Sequence, residues 1–301
     1  MLNDAVQAYI DMRRACGFKF GCQSAYLFGF VGFCADRGED LIRNDTAIQW
    51  AGQATTTSQR AHRLAIVTRF AQHLRAEDPR HEVPMPVFGP ERWGRPVPYI
   101  LSASEIARLL VETAHYGHHP IQGATFGTLF GLLACTGLRI SEATRLRYTD
   151  ITADGLVIRS TKFRKSRLVA LHASARAALE RYLQQRRPYA PLDDHVFVSV
   201  RGTPLAPRCV DGAFQVLTRR IGLPRGPGLP RATPHSLRHT FAVRSLQACP
   251  GERDQVTRHM VALSTYLGHV DVYATYWYLQ AAPDLMQDIA QCSEQFVREA
   301  S

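Results

Sequence analysis

Apolar residues recur at helical spacing through the first 78 residues of the chain. Positions i, i+3, i+4 and i+7 are apolar across 2–15, 24–38 and 56–78, and a shorter run of the same kind covers 46–54. Runs of this kind are typical of helices that bury one face and expose the other. We therefore predict a small helical domain over residues 1–78.

A proline-rich segment interrupts the helical pattern after residue 78. Six prolines lie between positions 79 and 98. Proline lacks a backbone N–H and cannot continue a helix, and at this density it favours an extended, rather stiff chain. We predict that residues 79–100 form a linker between two domains.

Helical spacing returns in residues 101–301, which we predict to form a second domain. Ser102 and Glu105 have the spacing of a capping box, and the almost wholly apolar run 121–137 predicts a buried helix. The pattern as a whole predicts a mainly α fold with a small β-sheet, in the α+β class. Two β-type runs, 155–160 and 166–172, predict a hairpin around TKFRK. A short strand is predicted over 196–200. Further helices are predicted over 140–147, 173–187 and much of the chain beyond 207.

Composition adds a preference for an anionic partner. The net charge is +10 and the isoelectric point is about 9.5, an excess that most often indicates nucleic acid. No apolar run approaches the roughly 18 residues that a membrane helix requires, so no membrane partner is expected. The seven cysteines are odd in number and contain no CxxC pair, which favours reduced thiols in a cytoplasm.

Arginine supplies almost all of the positive charge. Of the 36 basic residues only three are lysine, and two of them, Lys162 and Lys165, lie in TKFRKSR at the predicted hairpin. Lysine can release a proton when its pKa is lowered, whereas arginine stays charged. The stretch is therefore a candidate proton donor, with chance placement as the alternative interpretation.

Two other stretches place arginine where an anion could bind. In TPHSLRHTFA, Thr233 is a good N-cap, so His235 and Arg238 share one face near a helix N-terminus. In TGLRISEATRLR, Arg139 begins a new segment and Glu142, three residues on, could hold it in place. Each pair taken alone also fits an ordinary surface contact of little energetic weight.

A tyrosine-rich segment, LSTYLGHVDVYATYWYLQ, follows near the C-terminus. His269 lies at a turn after a helix that Gly268 ends, and Tyr273, Tyr276 and Tyr278 come next. A single tyrosine is far more often a core or interface residue than a nucleophile, so these residue types alone leave the three tyrosines as candidates.

Taken in order, these pieces resemble the tyrosine recombinase family of the phage-integrase type. The matches are CTGLRISEATRLRYTDI, TKFRKSR, PHSLRHTFA and LGHVDVYATYWYL, and they extend through most of residues 101–280. The helical pattern of 1–78 resembles the family's core-binding, SAM-like DNA-binding domain. One departure is an apparent insertion near 248–259, which lengthens the spacing between Arg238 and His269.

The resemblance implies a catalytic domain over 101–301 that forms a C-shaped clamp on double-stranded DNA together with the core-binding domain. It implies a site-specific recombinase that cuts and rejoins DNA through a covalent 3′-phosphotyrosyl intermediate, with no metal and no other cofactor. The resemblance implies that Tyr278 is the nucleophile and that Lys162, or alternatively Lys165, protonates the leaving 5′ oxygen. Glu142 would support Arg139, and the phosphate would be bound by Arg139, Arg238, His235 and His269. Further DNA contacts are implied for Arg164, Lys165 and Arg167.

The resemblance also implies partners and a setting. We expect a homotetramer on paired recombination sites in a prokaryotic cytoplasm, associated with the nucleoid, and leave open a monomer in free solution. The two-domain layout favours a Xer-like or mobile-element recombinase. The tail after residue 283 has an apolar face that could pack on its own domain or dock into a neighbour, formed by Leu285, Met286, Ile289 and Phe296.

Three alternatives compete with this interpretation. The first is a DNA-binding or architectural relative with weak or no catalysis. The second is a type IB topoisomerase, which uses similar chemistry as a monomer. The third is a metal site at His235 and His239 or among His115, His118 and His119, although neither group has the acidic partner that the motif of a zinc protease requires.

Overall fold

A computed structural model describes residues 2–89, 97–159, 166–189, 194–226, 228–249 and 253–268, together with Thr275 and Tyr278. The chain divides into two compact units, Met1–Arg95 and Pro96–Ser301. The division falls inside the predicted linker 79–100.

The first unit is helical, as its hydrophobic pattern predicts. Its helices are α1 (Leu2–Ala15), α2 (Gly21–Ala35), α3 (Asn44–Gly52) and α4 (Thr57–Arg75). The threonine before α4, Thr56, accepts a 3.2 Å hydrogen bond from the Gln59 amide, which satisfies a donor that the helix start leaves unpaired. The apolar faces of the four helices meet in one core that includes Val6, Ile10, Leu27, Phe30, Val67 and Phe70.

The first part of the proline-rich segment packs on this helical unit. The Glu82 carboxylate accepts hydrogen bonds from the Asn44 amide at 2.7 Å and the Arg43 guanidinium at 3.1 Å, and the Met85 amide donates to the Asn44 side chain at 3.1 Å. Prolines lack a backbone donor, and the contacts that attach this segment involve Arg43 and Asn44 at the start of α3. The first part of the predicted linker, as far as Met85, therefore contacts the helical unit.

The second unit is built around one buried helix. Helix α6 (Pro120–Thr136) has apolar residues on all sides, including Phe126, Leu129, Phe130 and Leu133, and it packs against α8 and α10. The other helices of this unit, as far as the structure describes it, are α5 (Ala103–Glu112), α7 (Ile140–Ala143), α8 (Ala173–Arg186), α9 (Pro207–Arg220), α10 (Pro234–Gln247) and α11 (Arg253–Leu267).

A three-stranded antiparallel sheet lies between α7 and α8 along the chain. The strands are β1 (Ile151–Thr152), β2 (Gly155–Ile158) and β3 (Arg167–Val169), in the order β1-β2-β3. Leu156 pairs with Val169 and Val157 with Leu168, so the predicted hairpin is confirmed. The hairpin tip, residues 160–165, lies outside the described residues.

Two local predictions have clear outcomes. The capping box of α5 is confirmed, because the Glu105 amide donates to the Ser102 hydroxyl at 3.1 Å and the Ser102 amide donates to the Glu105 carboxylate at 2.7 Å. The predicted strand over 196–200 is wrong, since the segment makes only one isolated bridge, between Val198 and Pro204. Val196, Phe197 and Val198 are buried in a loop, whereas Val200 is exposed, so burial explains the first three apolar positions of the run.

Candidate active site

Helix α10 begins where the sequence places it. Pro234 is its first residue, and the amide of the preceding Thr233 donates to the Ser236 hydroxyl at 3.0 Å. Proline suits the first helical position because an N–H there has no partner within the helix. His235 and Arg238, three residues apart, therefore point from the first turns of α10.

Arg238 joins the ends of two other helices. Its guanidinium donates to the carbonyl of Gly137 at 2.6 Å, just past α6, and to the carbonyl of Leu267 at 2.8 Å, the last residue of α11. The side chain is buried, and burial followed by the positive charge of Arg139 lowers the pKa of Arg238 to about 10. Terminal carbonyls lack partners within their helices and carry the negative end of the dipole, so a buried cation is well placed there.

Gly137 makes this arrangement possible at the end of α6. Its φ of 62° lies in the left-handed region, and a Cβ at this position would lie 2.5 Å from the Phe241 ring. Glycine adopts this conformation without the steric cost that a side chain brings. The chain therefore turns sharply after α6 and delivers Arg139 next to Arg238.

Arg139 is held by Glu142 and by the end of α11. Its guanidinium donates to the Glu142 carboxylate at 2.8 Å and to the Gly268 carbonyl at 2.9 Å, and its backbone amide donates to the second carboxylate oxygen at 2.9 Å. The predicted contact between Glu142 and Arg139 is therefore present. Arg139 keeps about a third of its side chain exposed, whereas Glu142 is buried.

The Glu142 carboxylate is an anion that two arginines share. Burial by itself raises its pKa, but hydrogen bonds from Arg167 and Arg139 outweigh burial and lower the pKa to about 2. Arg167 makes a bidentate contact, with its Nη1 at 3.1 Å from Oε1 and its Nη2 at 2.8 Å from Oε2. Glu142 is thus charged at neutral pH and receives three guanidinium hydrogen bonds.

The last turn of α11 accepts hydrogen bonds from three arginines. The carbonyls of Tyr266, Leu267 and Gly268 accept from Arg167 at 2.7 Å, Arg238 at 2.8 Å and Arg139 at 2.9 Å respectively. Three segments far apart in sequence thereby meet at one helix end. Three guanidiniums face one buried carboxylate here, so the site carries excess positive charge that suits an anion.

His235 lies beside these arginines and is accessible to solvent. Protein groups around the ring reduce its hydration, and this effect, followed by the positive charges of Arg238 and Arg139, lowers the pKa of His235 to about 4. The neutral ring expected at pH 7 presents one donor nitrogen and one acceptor nitrogen.

Tyr278 is connected to α10 through His239. The phenol oxygen of Tyr278 lies 3.2 Å from Nδ1 of His239, and their ring centroids are 5.4 Å apart. The His239 ring in turn meets the His235 ring edge to face at 4.5 Å. Tyr278 is buried in an apolar cluster with Leu263, Leu267 and other residues of α10 and α11.

Sequence reasoning considered His239 only as a metal partner of His235 and missed its contact with the tyrosine. The i, i+4 spacing of the two histidines on one helix was the signal that could have found it. Within the described ranges, no group of three or more histidine, cysteine, aspartate and glutamate side chains could hold a metal ion.

The structure thus brings together Arg139, Glu142, Arg167, His235 and Arg238, with Tyr278 linked through His239. Lys162, Arg164, Lys165 and His269 lie outside the described residues. The described parts also contain no helix long and apolar enough to span a membrane.

A cationic cluster with a tyrosine close by suits the binding of an anion such as a phosphate. Comparison with known proteins identifies the family. The model of the phage integrase family matches residues 100–284. A protein of Sinorhizobium fredii (strain NBRC 101917 / NGR234) named integrase/recombinase y4rB is 37% identical over 301 residues, which cover 94% of each chain. Tyrosine recombinase XerC of Pseudomonas syringae pv. syringae (strain B728a) is 31% identical, over 85% of this chain and 79% of that one.

Solved structures share the fold at low sequence identity. The XerH site-specific recombinase bound to its palindromic difH substrate in a post-cleavage complex has a TM-score of 0.66 at 16% identity, covering 90% of this chain and 78% of that one. The Tn1549 transposon integrase in complex with transposon right-end DNA has a TM-score of 0.64 at 17% identity, covering 95% and 99%.

The chain belongs to the phage integrase family, the tyrosine recombinases, which are enzymes that cut and rejoin DNA. The predicted family and its mainly α fold with a small sheet are both confirmed.

Proposed function

We propose that this chain is a site-specific recombinase that cuts DNA through a covalent 3′-phosphotyrosyl intermediate formed on Tyr278. The observation that carries the proposal is the convergence of Arg139, Arg238 and Glu142 at the end of α11, with Tyr278 tied to the same α10 helix through His239. Such a cluster offers a preorganised set of cationic donors beside a nucleophile.

Arg139, Arg238 and His235 would bind the scissile phosphate. Each guanidinium has five N–H donors, so those that donate to backbone carbonyls retain further hydrogens for phosphate oxygens. Attack on a phosphodiester concentrates charge on the non-bridging oxygens, and donors already in position stabilise that charge without reorganisation. Glu142 supports this role because it fixes the direction of the Arg139 side chain.

The strand cleavage step balances without an added energy source. The Tyr278 oxygen forms a bond to phosphorus and loses its phenol proton, while the bond from phosphorus to the 5′ oxygen breaks and that oxygen takes up a proton. The product is a phosphotyrosyl ester and a free 5′ hydroxyl. Attack by a 5′ hydroxyl on the ester reverses the step and rejoins the strand.

Lys162 is the proposed donor of the proton to the 5′ oxygen, with Lys165 as the alternative. The support is chemical, since lysine can release a proton and arginine cannot do so readily, and the described strand pair β2–β3 leads directly into the segment that holds both lysines. His269 is proposed as a further phosphate ligand next to Gly268, and Arg164 and Lys165 as DNA contacts.

We further propose a mobile-element role and a homotetramer on two recombination sites. The similarity to a transposon integrase supports the first, and the solved λ integrase tetramer on a Holliday junction, which shares the fold, supports the last. A prokaryotic cytoplasm with nucleoid association fits the bacterial relatives.

The test is covalent capture of DNA. Wild-type protein is incubated with nicked duplexes from the flanks of its own gene, and adducts that resist SDS are counted. Tyr278→Phe should form no adduct and keep its DNA affinity, while Tyr276→Phe, the matched control, should react like the wild type. An adduct on Tyr278→Phe refutes the nucleophile, and binding without an adduct in the wild type would favour an architectural relative. Relaxation of supercoiled DNA by a monomer would favour a topoisomerase.

A further inference from the structure

Arg167 begins strand β3, directly after the hairpin segment that contains the candidate proton donors. The sequence pattern predicts a DNA contact here, as it does for the nearby Arg164. The structure shows an arginine whose side chain is only 11% exposed.

All three nitrogens of the Arg167 guanidinium donate to groups of the protein. Nε donates to the Tyr266 carbonyl at 2.7 Å, and Nη1 and Nη2 donate to the two Glu142 carboxylate oxygens at 3.1 and 2.8 Å. This planar, bidentate arrangement uses the fixed fork of arginine, which lysine lacks. The Arg167 guanidinium thus uses all three nitrogens in hydrogen bonds within the protein.

These contacts connect three separate parts of the site. Strand β3 is joined to Glu142, which holds Arg139 at 2.8 Å, and to the last turn of α11, whose Gly268 carbonyl also accepts from Arg139. A Cβ at Gly268 would lie only 2.8 Å from Nη1 of Arg167, so the packing around the guanidinium is close. Moving Arg167 would therefore remove one contact from each of the two supports of Arg139, Glu142 and the end of α11.

We propose that Arg167 is a positioning residue of the strand-transfer reaction, which holds Glu142 and the end of α11 so that Arg139 stays aimed at the scissile phosphate. It acts through these partners and not by binding DNA. The inference rests on the proposed function, since it concerns the geometry of the same phosphate site.

The test compares Arg167→Met and Arg167→Lys with wild-type protein on the nicked duplexes described above. Two quantities are measured, the single-turnover rate of adduct formation and the DNA affinity as a function of salt. The matched control is Arg176→Met, because Arg176 on α8 also donates to carbonyls at the sheet, those of Thr152 and Ala153 at 2.9 and 2.7 Å.

We expect both Arg167 variants to lose about 100-fold in rate, the scale expected when a reacting group is misplaced by about 1 Å. Affinity and its salt slope should stay within about threefold of wild type, and Arg176→Met should react like the wild type. Since a phosphate contact depends mainly on charge, recovery of the rate in Arg167→Lys, or a salt slope lowered by about one, would overturn the inference.

The remaining outcomes also decide between the claims. If wild-type protein binds the duplexes without forming an adduct, the proposed function fails and the inference fails with it. If wild type reacts and Arg167→Met reacts equally fast, only the inference fails. If Arg167→Met does not fold, the rate and affinity of Arg167→Lys alone are compared with those of wild type. If neither variant folds, Arg167 is needed for stability of the fold, and the positioning role is overturned.

Discussion

The phenol oxygen of Tyr278 lies 3.2 Å from Nδ1 of His239, one residue after the buried Arg238. The contact ties the proposed nucleophile to the helix that carries two of the proposed phosphate ligands. His239 is also close enough to accept the phenol proton as the tyrosine attacks.

His239→Phe should therefore slow adduct formation about fivefold, because a hydrogen bond contributes on the order of 1 kcal/mol. DNA affinity should be unchanged, and both are measured with nicked duplexes. The control is His259→Phe, since His259 bonds Ser245 in the same helical cluster. An unchanged or faster rate in His239→Phe would show that the contact does not assist the attack.

Lys162→Arg should slow strand cleavage because arginine does not release a proton readily. Substrates with a 5′-bridging sulfur should restore the rate, since a thiolate leaves without an acid. The measurement is the cleavage rate of oxygen and sulfur substrates by wild type, Lys162→Arg and Lys165→Arg. Rescue confined to Lys165→Arg would move the role to Lys165, and no rescue in either variant would end the proton-donor hypothesis.

Gly268→Ala should impair catalysis more than its backbone strain alone explains. Gly268 has a φ of 67° and its Cβ would press on Arg167, whereas Gly222 has a φ of 68° with open space around it. An alanine pays about 1–2 kcal/mol for the left-handed conformation at either position. We therefore expect similar losses of unfolding free energy but a drop in adduct rate only for Gly268→Ala. Equal adduct rates in the two variants would show that Arg167 tolerates displacement.

Glu142 should make stability sensitive to acid. Its folded pKa of about 2 lies below its ordinary value of 4.5, so the unfolded chain binds the proton first as the pH falls. The stabilisation is therefore complete above about pH 4.5 and disappears between about pH 4.5 and 2, by up to about 3 kcal/mol.

The variant Glu142→Gln removes this titration. The difference in unfolding free energy between wild type and Glu142→Gln, measured by urea denaturation, should shrink as the pH is lowered from 6 to 3. A difference that stays constant over that range would mean that the Glu142 carboxylate is not stabilised by Arg139 and Arg167 in solution.

Local sequence signals predicted the elements of the fold well where one physical rule dominates. The capping box of Ser102 and Glu105, the glycine end of α6 at Gly137 and the proline start of α10 are each decided by a few neighbouring backbone groups. The apolar run 196–200 gave a wrong prediction of a strand, because a buried loop can be as rich in apolar residues as a buried strand.

The order of motifs along the chain was enough to indicate the family, and it singled out Arg139, His235, Arg238 and Tyr278 as candidates. It could not show what each side chain contacts. Arg164 and Arg167 carry the same charge three residues apart and received the same predicted role. Burial against Glu142 distinguishes Arg167, because that partner lies 25 residues earlier in the chain.

The amino-acid sequence by itself therefore determined the helices, the hairpin and the kind of chemistry, since these depend on spacing, propensity and residue type. Only the tertiary structure decided that three arginines meet at the carbonyls of Tyr266, Leu267 and Gly268, and that His239 holds Tyr278. Those contacts join residues up to 129 positions apart, and such pairings arise from the packing of whole helices, which no local pattern encodes.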